Sequence, residues 1–319
     1  MMRSEIDVPR VPVGERLQEL FDWLTKHLGG FFDAISSFIG GAVDRLINLL
    51  EAPDPVILVV IFALIGLLLK GWKFAAVALL GLLLIVSMEQ WAASMQTLAL
   101  VLVAAAAAVL FALPLGILAA RNRWASALLK PILDLMQTMP AFVWLVPVVT
   151  LFGIGVVPGV IATIIFALPP GVRFTELGIR SVDAEMVEAS QAFGATPRQT
   201  LLGVQLPLAL PTIMAGINQV IMLSLSMAVI SGLVGAEGLG GQVTSAIATL
   251  DLGLGFEAGL SVVILAIYLD RVTASIGQGD GGGGLRVWSR KRTTDDEDLT
   301  ADRAGDEEEL TPSVPIKTA

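Results

Sequence analysis

The chain has 319 residues, of which 55% are hydrophobic and only 15% are charged, and its mean hydropathy is +0.79. A soluble domain of this size could not bury so much apolar surface in one core, so the composition excludes an ordinary soluble protein and predicts a polytopic membrane protein. The chain has no cysteine and a net charge of −9, and the lack of cysteine excludes disulfides and thiolate metal sites.

The first segment, residues 1–54, contains no apolar run long enough to cross a bilayer. Apolar residues such as Leu17 and Leu20 recur at helical spacing opposite acidic ones, which is typical of an amphipathic helix. Two glycine pairs, at 29–30 and 40–41, are expected to cut the segment into short helices. Such helices can lie on the outer membrane surface or pack against the bundle.

About seven apolar runs follow, and each is a candidate transmembrane helix because about 20 apolar residues cross a bilayer. The fourth and fifth runs are short and contain prolines, and broken helices survive in a membrane only where protein or a water-filled path satisfies the freed backbone groups. We therefore expect these two in the interior of an all-α bundle. The runs cover residues 55–69, 74–88, 98–120, 141–153, 156–172, 208–233 and 256–269.

Basic residues predict the orientation of the spans, because Lys and Arg favour cytoplasmic loops. They occupy the connections after the first, third, fifth and seventh runs, whereas the connections after the second, fourth and sixth contain none. With seven spans, every basic connection falls on one side. The N-terminus is then predicted outside and the C-terminus in the cytoplasm, where the longest connection covers about residues 173–207.

The C-terminal segment, residues 273–319, is predicted to be a glycine-rich linker followed by a disordered acidic tail. From residue 293 onward, nine acids stand against two bases, and such a density of like charge opposes folding. The tail also suggests a halophilic source as a hypothesis. The glycine run at 279–284 lacks the lysine of a phosphate-binding loop, so we expect no ATP site on this chain.

The long cytoplasmic connection is predicted to hold two short helices that meet at a hinge. Asp183 can cap the first helix, and Gly194 ends it at the position where a left-handed C-cap is least strained. Thr196 can cap the second helix, with Gln199 completing a capping box. From these residues alone, a rigid protruding helix–turn–helix and an ordinary connector lying along the lipid headgroups are both open.

The same connection resembles the EAA signature of ABC-transporter permeases, in which EAA precedes three residues, a glycine, nine residues and I-x-L-P. This chain reads EAS from residue 188, glycine at 194 and VQLP from residue 204, at that spacing throughout. In that family the loop is a coupling helix that seats in a groove of a separate ATPase subunit. The resemblance assigns ATPase coupling to Glu188, Ala189, Ser190, Gly194, Arg198 and Pro207.

Three longer stretches resemble the permeases of glycine betaine/proline betaine osmoprotectant uptake systems, which are binding-protein-dependent type I ABC importers. They begin PILDLMQTMPAFVWLVP at residue 131, LPTIMAGINQVIMLSLSM at residue 210 and GLGFEAGLSVVILAIYLD at residue 253. The close match covers about residues 90–272. It implies the type I permease fold and the role of membrane-spanning subunit, which takes up compatible solutes of the betaine type.

The resemblance also implies an organisation. Residues 1–54 would be the amphipathic helices, 55–89 two extra spans and 90–272 the permease domain. The expected partners are a second permease copy, an extracellular substrate-binding protein and an ABC ATPase subunit that carries ATP and magnesium. The chain itself, a multi-pass protein of the plasma membrane in contact with lipid, would hold no cofactor, no metal and no catalytic residue, and would bind no nucleic acid.

Candidates for the substrate pathway come from the proline-broken fourth run and from one acid near the seventh. A betaine carries a quaternary ammonium, which aromatic faces bind by cation–π attraction, and a tryptophan there can equally be an interfacial anchor. Three acids near spans, Asp134, Glu176 and Glu257, are functional candidates because intramembrane charge is costly, yet each can also form a structural pair. The pathway candidates are Met139, Pro140, Phe142, Trp144 and Glu257.

Two other functions stay open at this point. An ABC permease for another small solute, such as an amino acid or choline, would share the same machinery. An ion-coupled secondary carrier would show inverted repeats and unwound helices around coupling ions, and the sequence displays no such repeat. An intramembrane hydrolase is disfavoured, because no histidine lies in an apolar run to activate a serine.

Overall fold

The protein is described by a computed structural model that covers residues 12–277, and every regular element in that range is helical. The predicted acidic tail, from residue 278 onward, lies outside the described residues. Three short segments are not α-helical: 3-10 turns at Ala141–Trp144 and Ser231–Val234, and a π-helical segment at Leu201–Gln205. The α-helices are α1 (Val13–Glu51), α2 (Pro55–Lys70), α3 (Trp72–Ser87), α4 (Trp91–Arg121), α5 (Arg123–Thr138), α6 (Leu145–Phe152), α7 (Val156–Arg180), α8 (Ala184–Ala192), α9 (Pro197–Thr200), α10 (Leu206–Ile230), α11 (Leu239–Thr249) and α12 (Leu252–Gly277).

The centre of the fold is the packing of α7 against α4 on one side and α10 on the other. Small residues allow these backbones to approach closely. A methyl group added to Gly116 would lie 2.4 Å from Cβ of Thr175, and one added to Gly171 would lie 2.7 Å from Cβ of Ala112. Close contact between small residues is how helices associate where lipid removes the usual hydrophobic drive.

The fifth apolar run is an unbroken helix rather than a proline-interrupted one. α7 continues through Pro169 and Pro170 to Arg180, so residues 173–180 of the predicted connection belong to this helix. Its most apolar stretch is 61% buried, more than in any of the other three long apolar helices described. The prediction that this run lies in the interior is therefore confirmed, and neighbouring helices shield the backbone that the prolines leave unpaired.

The division of the N-terminal segment at its glycine pairs is wrong. α1 is one helix of 39 residues that runs through both pairs, 29–30 and 40–41. Each helical glycine costs about 1 kcal/mol relative to alanine, and packing against α4, α6 and α7 offsets that cost. The ring of Phe32 meets the ring of Phe152 edge-on at 5.3 Å, and Val43 is fully buried.

α2 and α3 form a tight hairpin joined at Gly71, whose φ of 86° favours glycine. The hairpin packs on α12, where the hydroxyl of Tyr268 donates a hydrogen bond of 3.0 Å to the backbone oxygen of Phe62. Each helix has 16 residues and so extends about 24 Å, less than the ~30 Å of a hydrocarbon core. Whether both cross the membrane, as expected, stays a prediction.

Four helical stretches in the described range are long and apolar enough to span a membrane alone: α4, α7, the continuous run from Pro197 to Val234, and α12. Two bent pairs, α1 with α2 at 98° and α5 with α6 at 106°, raise the number to six if each forms one broken span. The number of seven spans and the orientation of the termini therefore stay predictions.

The connection between α10 and α12 contains a further helix, α11, at residues Leu239–Thr249. The backbone N–H of Leu239 donates to the hydroxyl oxygen of Thr97 on α4 at 2.8 Å. A methyl group on Gly232 would lie 2.2 Å from the backbone of Gly240, so glycine is required here for close packing rather than for a turn.

Candidate functional site

The protruding part of the long connection, residues 181–205, is called the elbow, and its first arm is α8. The side chain of Asp183 accepts a hydrogen bond of 3.0 Å from the backbone N–H of Glu185 and so caps the helix. Gly194 has φ of +81° and follows Phe193, the C-cap. The N–H of Ala195 reaches back to the carbonyl of Ser190 at 3.1 Å, a C-terminal closure that needs the left-handed residue.

The second arm begins with the predicted capping box, which is confirmed. The N–H of Thr196 donates to the side chain of Gln199 at 2.8 Å, and the hydroxyl of Thr196 accepts from the N–H of Gln199 at 3.4 Å. The two arms are tied together by the hydroxyls of Ser190 and Thr200, 3.1 Å apart. The serine that replaces the usual alanine of the signature therefore has a structural partner.

The outer face of the elbow is exposed within the described part of the chain and is chemically mixed. Glu188, Ala189 and Arg198 are exposed. Phe193 is 93% exposed and Met186 is 50% exposed. A fully exposed aromatic ring beside charged side chains, on a rigid two-arm support, is typical of a surface that another protein covers.

The second arm is continuous with the helix that follows it. α9, the π-helical segment and α10 form one helical run from Pro197 to Val234. Pro207 lies at the second position of α10 and has no N–H to offer the carbonyl four residues earlier, and the wider π-helical turn before it accommodates this loss. A displacement of the outer arm is therefore carried directly into α10.

Behind the elbow lies a cavity of about 220 Å³. It separates the two arms from the ends of α4 and α7, and Arg121, Gln191, Thr200 and Gln205 contribute polar lining. Part of the inner face of the elbow thus lines an opening, while Leu201 packs with Ile179, Ala209 and Ile213 in a buried cluster that joins the elbow to the bundle.

A sharp break lies just before the fourth apolar run, at Met139 and Pro140, whereas α6 within the run continues through Pro147. α5 ends before Met139, Pro140 follows in an extended conformation, and the axis of α6 is bent by 106° from that of α5. The indole N–H of Trp144 donates to the carbonyl of Met136 across this break at 3.2 Å. Phe142 is 59% exposed, so its ring is available to a solute or a neighbouring subunit.

Glu257 is not brought to this break. It lies half-buried near the start of α12, and its backbone carbonyl accepts from the hydroxyl of Ser261. α12 packs mainly on α11, α10, α2 and α3, whereas the turn at Ala141–Trp144 packs on α6, α7 and α10. Of the five pathway candidates, four therefore lie together at the break (Met139, Pro140, Phe142 and Trp144), and Glu257 lies on a different helix.

The two other acids are engaged in pairs that the sequence analysis allowed for but could not specify. Asp134 on α5 forms an ion pair with Arg173 on α7. One carboxylate oxygen of Glu176 accepts from the hydroxyl of Ser126 at 2.7 Å and lies 2.9 Å from Nε of Arg180. Within residues 12–277, no three acidic or histidine side chains converge as metal ligands would.

A polar group between α10 and α12 was also missed. The amide of Asn218 donates to the carboxylate of Asp270 at 2.9 Å, and Asn218 accepts from the hydroxyl of Thr273. Both side chains are partly buried. Asn218 lies within an apolar run and Asp270 directly follows one, and this is the signal that could have found them, because polar side chains in such surroundings need partners.

Comparison with known proteins identifies the kind of chain to which these features belong. Residues 112–278 match the family described as binding-protein-dependent transport system inner membrane component. The chain is 46% identical to the glycine betaine transport system permease protein OpuAB of Bacillus subtilis over 269 residues, which cover 84% of this chain and 95% of that protein. It is 47% identical to the glycine betaine/carnitine transport permease protein GbuB of Listeria monocytogenes, over 84% of this chain and 96% of that protein.

A third relative and a solved structure agree with these matches. The glycine betaine/proline betaine transport system permease protein ProW of Escherichia coli is 47% identical over 87% of this chain and 78% of its own length. An inward-facing structure of the MetNI methionine ABC transporter matches with a TM-score of 0.52 and 24% identity, over 56% of this chain and 90% of that chain. This likeness supports the type I permease fold.

Proposed function

The chain belongs to the family of binding-protein-dependent transport system inner membrane components, and we propose that the solute it carries is glycine betaine, proline betaine or a closely related compatible solute. It is the permease subunit of an ABC importer. The substrate proposal rests on one observation: three betaine permeases are 46–47% identical to this chain over most of its length.

The proposed assembly contains two copies of this chain, two ABC ATPase subunits and an extracellular substrate-binding protein. ATP and magnesium would be bound by the ATPases, so this chain contributes movement rather than hydrolysis. The elbow supports this arrangement, because a stiff, protruding helix pair with an exposed ring at Phe193 offers a surface for an ATPase groove. We assign Glu188 and Arg198, both exposed, to polar contacts there.

In the proposed cycle, closure of the ATPases on ATP draws the two elbows together and turns the permease pair from inward-open to outward-open. The continuous run from Pro197 to Val234 supports a direct path from the elbow to α10. Met139, Pro140, Phe142 and Trp144 are proposed to border the solute path, where an exposed aromatic ring can pass a quaternary ammonium by weak cation–π attraction. Glu257, which lies apart from them, is proposed to border the same path nearer α12.

Uptake of radiolabelled glycine betaine at high osmolarity tests this function. The strain compared should carry or lack the gene and should have no second betaine uptake system. We expect uptake to be lost on deletion and restored by this chain only together with its ATPase. Unchanged uptake after deletion would contradict the substrate assignment, and choline, carnitine and proline would then be measured in the same strain.

A further inference from the structure

A group of polar side chains joins α5 to α7 next to the elbow. We call it the clasp and define it by its residues: Ser126, Asp134, Arg173, Glu176 and Arg180. It makes two separate links between the helices. The hydroxyl of Ser126 donates to the carboxylate of Glu176 at 2.7 Å, and Asp134 forms an ion pair with Arg173.

A third contact extends the clasp to α4. The guanidinium of Arg180 lies 2.9 Å from the carboxylate of Glu176 and also donates to the backbone carbonyl of Ala119 at 2.8 Å. Only 13% of the Glu176 side chain is exposed. A carboxylate so largely removed from water requires both partners, so the position of Glu176 is tied to α4 and α5 at once.

Apolar packing holds α5 along one narrow face only, where Leu129, Leu133 and Met136 contact the main core. Of its 16 residues, only Ser126 and Leu133 are buried, and Trp124, Leu128 and Leu135 are each more than half exposed. One of the two buried residues is thus itself part of the clasp. Because this apolar face is narrow, the polar links add to what fixes the position of α5 relative to α7.

The clasp stands between the two functional parts of the protein. Arg180 is the last residue of α7, and Asp183, the cap of α8, follows three residues later. At its other end, α5 leads without interruption into the break at Met139 and Pro140. Movement of the elbow can reach the break through α7 and α10, on which the turn at Ala141–Trp144 packs, and through the links that fasten α5 to α7.

We propose that the clasp makes α5 move together with α7, so that the ATP-driven displacement of the elbow is passed to the broken span. Glu176 is its central positioning residue. The inference rests on the proposed importer function. A clasp that merely stabilised the fold would lower the thermal stability of the permease when disrupted but would leave the coupling of the two movements intact.

Because the natural chain contains no cysteine, single cysteines report the two movements separately. A spin label at Ala192, exposed on the elbow, measures the distance between the elbows of the two copies in the full complex. A label at Leu128, 67% exposed on α5, measures the distance between the two α5 helices. Both distances are recorded by pulsed electron paramagnetic resonance with and without ATP.

The test variant combines Ser126→Ala with Asp134→Ala, which removes the hydroxyl that donates to Glu176 and the carboxylate that pairs with Arg173, and so breaks both links between α5 and α7. We expect ATP to change both distances in the otherwise unmodified chain. In the variant, the change at Ala192 should persist and the change at Leu128 should be lost, with fewer solute molecules transported for each ATP hydrolysed. An unaltered change at Leu128 in the variant would overturn the clasp.

Each other outcome of this experiment also supports or contradicts the proposal. If ATP moves neither label in the otherwise unmodified chain, the importer function and the clasp both fail, which distinguishes that failure from failure of the clasp alone. If the double variant does not fold, Asp134→Ala alone takes its place. The control is Ser181→Ala, because that hydroxyl, just past the end of α7, donates to the carbonyl of Gly178 and to no residue of α5 in the described part of the chain. Loss of α5 movement in this control would also overturn the proposal.

Discussion

Replacement of Gly194 tests whether the shape of the elbow positions it for the ATPase. Its φ of +81° is one that residues with a side chain rarely adopt, and a methyl group added there meets nothing within 4 Å. Steric clash inside the chain therefore contributes nothing, and the whole effect of Gly194→Ala is backbone strain. A left-handed residue other than glycine costs about 1–2 kcal/mol, which the open surroundings allow the hinge to relieve by rearranging.

The strain sets the size of the expected change. About 1–2 kcal/mol corresponds to a roughly 5- to 30-fold weaker affinity for the ATPase, because only the fraction of elbows in the original conformation binds. Gly194→Val should be weaker still, since a β-branched residue tolerates this conformation least. Gly194→Asn should stay close to the original, because asparagine is enriched in the left-handed region.

The assay is equilibrium binding of the purified ATPase to the permease in lipid nanodiscs. Gly203→Ala provides the control, because Gly203 lies in the same elbow within helical backbone and its added methyl also meets nothing. The predicted order of affinity is Gly, Asn, Ala, Val. Equal binding by the Ala variant, or binding by Asn as weak as that by Val, would refute the role given to the hinge.

Three further changes test the bundle. Gly171→Ala forces a methyl group against α4 and should lower the stability of the purified permease by about 1–3 kcal/mol, seen as a lower melting temperature. Gly259→Ala, where space is open, should leave the melting temperature unchanged. Equal melting temperatures for the two variants would contradict the close packing of α7 on α4. Trp144→Phe removes the hydrogen bond from the indole N–H to the carbonyl of Met136 across the break, worth about 1 kcal/mol, so uptake should fall while ATPase binding is unchanged. Unchanged uptake would remove Trp144 from the pathway. Asp270→Leu leaves the amide of Asn218 without its acceptor and should lower the stability of the permease by about 1–3 kcal/mol, whereas Asp270→Asn should lower it less. Equal melting temperatures for these two variants would contradict the polar link between α10 and α12.

Features set by neighbouring residues could be predicted from the sequence. Asp183, Gly194 and the Thr196–Gln199 box act through backbone groups within a few residues, and all three took their expected roles. The apolar runs were placed correctly as helices because their length and composition are local properties. The break at Pro140 follows from the missing N–H and fixed φ of proline.

Features that depend on distant residues could not be predicted. Nothing near Glu176 indicates that its partner Ser126 lies 50 residues earlier. The glycine pairs of α1 carry a real local penalty, and only contacts such as that of Phe32 with Phe152 decide against a break. The serine at 190 reads as a mild replacement for alanine until Thr200, ten residues away, supplies its partner.

The central claim is most directly tested by reconstituting this chain with its ATPase and substrate-binding protein in proteoliposomes that contain ATP. Accumulation of radiolabelled glycine betaine is then followed, with a non-hydrolysable ATP analogue as the control. We expect accumulation against the gradient with ATP, none with the analogue, and competition by proline betaine. Accumulation driven by an ion gradient without ATP, or no betaine transport by an assembly that hydrolyses ATP, would contradict the proposed function.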